Sequence, residues 1–322
     1  MGDKHDEHPR VCVTGAGGFL ASSLLKLLLC QGYTVHGTLR NPEDSKNSHL
    51  KNLQGAAERL KLFKVDLLDY ESILAAVKGC DGVFHLATPV PPSSVPNPEE
   101  EVLKPALEGT LNVLKACSSA NVVRVVVVSS ASAIAMNPTW PRGKVMDETC
   151  WSDGEYCKTT NNWYCYSKTV AEREALEYGK RNGLNVITMC PTHVVGPMLQ
   201  PTINSSSLIL LKLLREGFEE VENRIRSLVD VRDVAEALKL LYEKPEAEGR
   251  YICTSYTVTT EDVVQILREI YPNYRYPKSF KESDKLVEMS SEKLQKLGWT
   301  YRPLKETLVD SVESYKQAGF LH

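Results

Sequence analysis

A tyrosine and a lysine stand four residues apart in Asn161-Asn162-Trp163-Tyr164-Cys165-Tyr166-Ser167-Lys168. On a helix this spacing puts both side chains on one face, where a phenol and an ammonium can meet. A nearby cation favours phenolate over phenol, so Lys168 is expected to lower the pKa of Tyr164 and fit it to pass a proton to a carbonyl oxygen near neutral pH. So short a motif also recurs as a half-buried aromatic beside a solvated lysine, and its meaning depends on what other elements bring to the same place.

The first such element is a strand, Arg10 to Thr14, followed by Gly15-Ala16-Gly17-Gly18 and an apolar helix that begins with Phe19 and Leu20. A strand, a glycine turn and a helix in this order set backbone N–H groups and a positive helix end where a pyrophosphate can sit. The spacing, Gly15-x-x-Gly18-x-x-Ala21, only approximates the Gly-x-Gly-x-x-Gly fingerprint. A second strand, Tyr33 to Leu39, ends at Arg40, with Lys46 close behind. An acid at that strand end grips a ribose hydroxyl and an arginine accommodates a 2′-phosphate, so the expected cofactor is NADP(H) rather than NAD(H). The third strand, Leu60 to Val65, delivers Asp66-Leu67 toward an adenine edge. The fourth, Gly82 to Leu86, runs into Ala87 and Thr88, and strand ends on the carboxyl side line the cofactor crevice. Leu86, Ala87 and Thr88 are therefore placed beside the nicotinamide ribose, with His85 read as a packed strand residue.

The β-branched run Val122 to Val128 reads as a strand covered on both faces and brings Ser129 and Ser130 to the same edge. Ser130 stands 34 residues before Tyr164, and a hydroxyl there can donate to a substrate oxygen. A sixth strand, Leu184 to Cys190, leads into Pro191, Thr192, His193 and Val194, where Pro191, His193 and Val194 are assigned to the amide end of the cofactor. Trp140, Trp151 and Trp163 offer aromatic walls. The expectation is an α/β doubly wound parallel sheet: residues 1–190 form an NADP-binding Rossmann domain, 226–254 return to it, and 191–322 are mainly a substrate lobe. Helices are expected over Tyr70 to Val77, from Glu99 to Cys117, from Tyr164 to about Arg181, and around Ser207 to Glu216, Glu261 to Tyr271 and Ser291 to Leu297.

Composition limits the alternatives. The 322 residues are 42% hydrophobic and 25% charged with a formal net charge of -3, offering no basic stripe for nucleic acid. No run spans a bilayer and Met1 to Arg10 is charged, so a cytoplasmic protein without a membrane partner is expected. Nine cysteines without a Cys-x-x-Cys pair fit reduced thiols better than disulfides or zinc, and no metal site is expected. Cys150 and Cys157 read as ordinary loop thiols, and His5 and His8 as part of a flexible polar leader. Prolines 89, 91, 92, 96 and 98 break regular structure before the Glu99 helix. Subunit number stays open, with a monomer expected.

Thr14 to Ala21, Asp66, Ser130 and Tyr164-x-x-x-Lys168, in this order, resemble an extended short-chain dehydrogenase/reductase over nearly the whole chain. Asn162-Trp163-Tyr164-Cys165-Tyr166-Ser167-Lys168 closely resembles the Asn-Trp-Tyr-Cys-Tyr-Gly-Lys signature of plant cinnamoyl-CoA reductases, neighbours of the dihydroflavonol reductases. Asp147 to Asp153, Gly196 to Thr202, and Arg40 with Lys46 support the likeness. It implies that Tyr164 protonates a carbonyl oxygen, that Ser130 hydrogen-bonds it, and that Lys168 tunes the tyrosine and holds the nicotinamide ribose. Two departures stand out: Ser167 replaces the signature Gly, and Ile209 stands where CoA-ester reductases carry a His three residues before Lys212. Losing that imidazole favours reduction of a free hydroxycinnamaldehyde to its alcohol, with hydroxycinnamoyl-CoA reduction second. A nucleotide-sugar epimerase or dehydratase, or a non-catalytic NADP-binding protein, is a more distant reading.

Overall fold

Alternation along the central strands accounts for the layers. In β1 (Arg10–Thr14) Val11 and Val13 pack into one core and Cys12 into another, and in β5 (Arg124–Val128) Val126 parts from Val125 and Val127 in the same way. Successive side chains point to opposite faces, so such runs demand cover on both. The structure, a computed structural model that describes residues 9–88, 95–141, 143–283 and 288–322, supplies it. β1, β2 (Thr34–Leu39), β3 (Leu60–Lys64), β4 (Gly82–His85), β5 and β6 (Asn185–Pro191) pair in parallel. After β7 (His193–Val195), β8 (Glu220–Asn223) and β9 (Ile225–Asp230), the chain returns as β10 (Gly249–Cys253) along β6. The resulting order is β3-β2-β1-β4-β5-β6-β10. This is the doubly wound Rossmann sheet expected, with its order reversing at β1 and β4. Helices Phe19–Cys30 and Val231–Glu243 cover one face; Tyr70–Val77, Lys104–Ser119 and Trp163–Asn182 cover the other. Arg124 breaks the valine run for a reason: its guanidinium donates to the carbonyls of Leu241 (3.2 Å) and Tyr242 (3.0 Å), orphan acceptors where a helix ends.

The later chain builds a second core. Helices Ser205–Arg215, Thr260–Ile270 and Leu304–Gln317 bury Leu210, Leu214, Val264, Leu267, Leu308 and Tyr315 together. They pack with a sheet of β7, β9 and β11 (Tyr256–Thr259), while β8 pairs with β12 (Ser279–Glu282). One part of the expected return differs. Helix Val231–Glu243 and β10 do rejoin the large sheet, but β9 pairs with β7 and β11 instead. Leu228 on β9 faces the second core and Val229 the first, so this strand ties the two bodies together.

The long helix expected from Glu99 begins as a wide π-type turn over Glu99–Leu103 before Lys104–Ser119 takes α geometry. Pro105 has no N–H to give the carbonyl of Glu101, which is why the ladder is irregular there. All nine cysteines are free thiols, Cys150 and Cys157 both buried. His5, His8 and prolines 89, 91 and 92 lie outside the described residues. No helix among the described residues is long and apolar enough to cross a membrane.

Candidate active site

The glycine loop is shaped as a cradle. Gly15 takes a left-handed φ of 70° and lies so close to Ala87 that an added Cβ would stand 3.1 Å from its Cα. A Cβ on Gly17 would collide with the carboxamide of Asn47, which is buried and anchored by a bond from its Nδ2 to the Asn41 carbonyl (2.9 Å). Gly18 starts helix Phe19–Cys30 and no side chain caps it, so the N–H groups of Phe19 and Leu20 remain for a ligand. Uncapped N–H groups at a positive helix end suit a pyrophosphate, and the cradle therefore fits a dinucleotide. Arg40 emerges exposed at the end of β2; Lys46 lies beyond it, ion-paired with Asp44 at 2.9 Å. Asp66 is exposed past β3, one carboxylate oxygen accepting from the N–H of Leu68 (2.9 Å). Leu67 turns away from the crevice: its side chain packs against Gly109 and its carbonyl accepts from Asn112 (3.0 Å).

Thr14 fixes the next strand end. Its hydroxyl oxygen accepts from the N–H groups of Leu86 and Ala87, both at 3.0 Å, so its proton goes to Nδ1 of His85 (2.9 Å). Nε2 of His85 then donates to Thr110 (3.3 Å), whose own proton is given to the Ala106 carbonyl (2.8 Å). Burial, with Lys168 nearby, pushes the imidazole down to about 3, and His85 is a neutral packing residue. Ala87 and Thr88 line a small cavity with Lys168.

A turn and a cap present the tyrosine. Asn161 adopts a left-handed φ of 55°, Asn162 accepts from the N–H of Cys165 (3.3 Å), and helix Trp163–Asn182 starts there. Tyr164 and Ser130 line one cleft of about 810 Å³, a size suited to a small-molecule substrate. The Ser130 oxygen accepts from the N–H of Ser132 (3.1 Å), which leaves its proton to donate into the cleft. The electrostatics depart from expectation. Burial raises the pKa of Tyr164, and the Ser130 hydroxyl, not Lys168, is what opposes it. Lys168 instead reaches the strand end, donating to the Val128 carbonyl at 3.4 Å. Burial lowers its ammonium to about 8, with Cys190 and then Glu172 working the other way. The side chains share a helix face as the spacing requires, but the lysine is drawn to a backbone carbonyl rather than to the phenol.

Beneath these groups lies a network that sequence reasoning missed. Glu172, one turn beyond Lys168, is 1% exposed. Its carboxylate accepts from Ser129 (2.7 Å), Thr188 (2.7 Å) and Nε of Arg250 (2.7 Å). Arg250 also donates to the carbonyls of Ala133 (3.2 Å) and Glu148 (3.1 Å), and it stacks on Trp151 at 3.4 Å. The loop after Ser130 is thus bolted to the helix that carries Tyr164 and Lys168. Of the three tryptophans, Trp163 lines the cleft, Trp151 serves this network, and Trp140 packs beside Ile134 and Met146.

The far wall of the cleft holds Pro191, His193 and Val194, together with Asn204, Ser206 and Ile209. Burial, helped by Arg226, lowers the His193 imidazole to about 4, so it is neutral. Val95, Pro98 and Val102 line the cleft as well.

A glycine cradle at the β1–β4 reversal and a Ser, Tyr and Lys set on the same edge define a dinucleotide-dependent enzyme. The model of the NAD dependent epimerase/dehydratase family matches residues 11–254, and the chain belongs to that family. It is an extended short-chain dehydrogenase/reductase and an NADP(H)-dependent oxidoreductase. Cinnamoyl-CoA reductase 1 of Petunia hybrida is 48% identical over 315 residues, covering 97% of this chain and 93% of that protein. Vestitone reductase from alfalfa (Medicago sativa) superposes with a TM-score of 0.83 at 34% identity, covering 97% of this chain and 99% of that one. Yeast methylglyoxal/isovaleraldehyde reductase Gre2, solved with NADPH, gives a TM-score of 0.83 at 27% identity, covering 97% and 100%.

Proposed function

We propose that this chain reduces a phenylpropanoid carbonyl with NADPH, and that a hydroxycinnamoyl-CoA thioester is its substrate. The observation that carries the reduction is the meeting of Ser130 and Tyr164 in one cleft, with Lys168 behind them. The relatives named for cinnamoyl-CoA support the thioester. The free hydroxycinnamaldehyde is kept as a second reading by one feature: Ile209, at the position of the missing His, lines the cleft and offers an acyl carrier no polar contact.

Gly15, Gly17, Gly18, Phe19 and Leu20 would hold the pyrophosphate, Arg40 and Lys46 the 2′-phosphate, and Asp66 the adenosine end. Leu86, Ala87, Thr88, Pro191, His193 and Val194 would flank the nicotinamide half. When bound, the cofactor supplies the hydride. Ser130, whose hydroxyl proton faces Tyr164, would turn it to the substrate oxygen and hold the carbonyl in place. Tyr164 donates the proton that the oxygen takes up as it gains charge, and preoriented donors of this kind stabilise that charge most where water is excluded. From the thioester this gives a hemithioacetal, which returns its hydroxyl proton to the Tyr164 phenolate as the C–S bond breaks; the aldehyde forms and CoA leaves as a thiolate that takes a proton from solvent. Lys168 keeps two N–H bonds beyond the one to Val128 for the ribose hydroxyls.

The test supplies NADPH with feruloyl-CoA and with coniferaldehyde in parallel, following loss of the reduced cofactor. Faster use of the thioester is expected. Faster use of the aldehyde reverses the ranking, and no oxidation with either removes the proposal. Tyr164→Phe should slow the active reaction by about 10²- to 10⁴-fold while NADPH affinity stays within about twofold.

A further inference from the structure

A small cavity of about 30 Å³ opens from the cleft through His193, Ser206 and Ile209 and is closed by Leu213, Leu228 and Arg226. Its walls are mostly apolar, with His193, Ser206, Thr260 and Arg226 as the polar members of the lining. Two residues earlier, the exposed Arg224 pairs with Glu222. Arg226, more sheltered, has no carboxylate partner among the described residues and donates no side-chain hydrogen bond there. The other titratable group in this lining, His193, is neutral, and the nearby Thr260 hydroxyl is spent on the Arg224 carbonyl (3.2 Å). A half-buried arginine that lines a cavity without a protein acceptor keeps its donors available to a ligand, and trading water for an anionic oxygen there is favourable. Guanidinium is a donor only, so what completes it must be an acceptor oxygen, best an anionic one.

We infer that Arg226 reads an acidic oxygen on the end of the substrate remote from the reacting carbonyl. Resting on the proposed function, this oxygen is the para-hydroxyl of the substrate ring, which the slot holds in its ionised form. Size selects this over a phosphate. One water needs roughly 10–15 Å³ of such space, so the slot takes a hydroxyl or little more, not a phosphate with its carrier. Chemistry selects it as well. A phenol conjugated through a propenyl chain to a carbonyl is a vinylogous acid, and its anion is spread toward the carbonyl end. Arg226 stays charged over the whole working pH range, so it can hold the anion without titrating itself.

The experiment compares wild type with Arg226→Met, which keeps the stem length and removes the charge, and with Arg224→Met as the control. Coniferaldehyde is added to protein loaded with NADP+, where no turnover occurs, and the long-wavelength phenolate band is recorded as pH is raised. Wild type and Arg224→Met should show bound phenolate at least about one pH unit below the free aldehyde, and Arg226→Met should not, the shift corresponding to one charge-assisted bond. In turnover, the kcat/KM preference for para-hydroxycinnamaldehyde over cinnamaldehyde should fall about tenfold or more in Arg226→Met, mostly through KM. An unchanged preference with an unchanged band overturns the inference. So does a loss confined to CoA thioesters, which would give Arg226 to the carrier. If neither the aldehydes nor feruloyl-CoA consume NADPH, the proposed function is struck, while the phenolate band still decides what the slot binds.

Discussion

Tyr164 and Lys168 show how far a spacing can be read. Their shared helix face was legible; the direction of the lysine was not, because the Val128 carbonyl that draws it belongs to a strand 40 residues away. The consequence is a pH dependence set by Lys168. Its pKa is lowered to about 8, so the ammonium is present below that pH and is lost as pH rises through it. Reduction rates measured at saturating NADPH should therefore fall on the alkaline side with an apparent pKa near about 8. A flat profile to pH 10 would show that the charge of Lys168 does not matter to the reaction. His85 and His193, both held neutral well below that range, should add no limb near neutrality.

Among the elements, helix Trp163–Asn182 and the loop after β5 matter most, because Glu172 and Arg250 hold them together. Neither residue was legible as part of the site. A lone Glu on a helix reads as solvated surface, and Arg250 arrives only when β10 lies against β6. Removing one member of a buried ion pair leaves the other uncompensated, so Arg250→Met should lower unfolding free energy by about 3–5 kcal/mol. The double variant Glu172→Met with Arg250→Met should regain most of that loss, as urea unfolding of the three proteins would measure. If the double variant is as unstable as the single, packing rather than charge is what the pair provides. The glycine loop, by contrast, was read nearly whole, since a left-handed turn before a helix is a local matter. Only its partner Asn47 lay hidden behind the more conspicuous Lys46.

For the molecule as a whole, the parallel sheet and its two covered faces followed from valine-rich runs, while the order of the strands comes from the structure. What escaped was the small sheet of β7, β9 and β11 and the helix Leu304–Gln317, whose short or mixed patterns gain meaning only from the second core they share. A ligand that binds only the folded state stabilises all of it. NADPH at 100 times its Kd should add about 2.7 kcal/mol, read as a rise in Tm. Arg40→Ser should shrink that rise for NADPH and leave the rise for NADH nearly as it was. An equal loss for both cofactors would move the 2′-phosphate contact elsewhere.

The return of β10 to the flank of β6 also sets an order of events at birth. Between Pro191 and Gly249 a ribosome must add some 58 residues before the partner of β6 exists, about 3–12 s at ordinary elongation rates. Throughout that interval the nascent sheet shows a bare, water-shy border ready to pair with another growing chain. Newly made protein is therefore most in need of a chaperone just after helix Trp163–Asn182 and β6 have been translated and before β10, the strand that ends the sheet on that side, has.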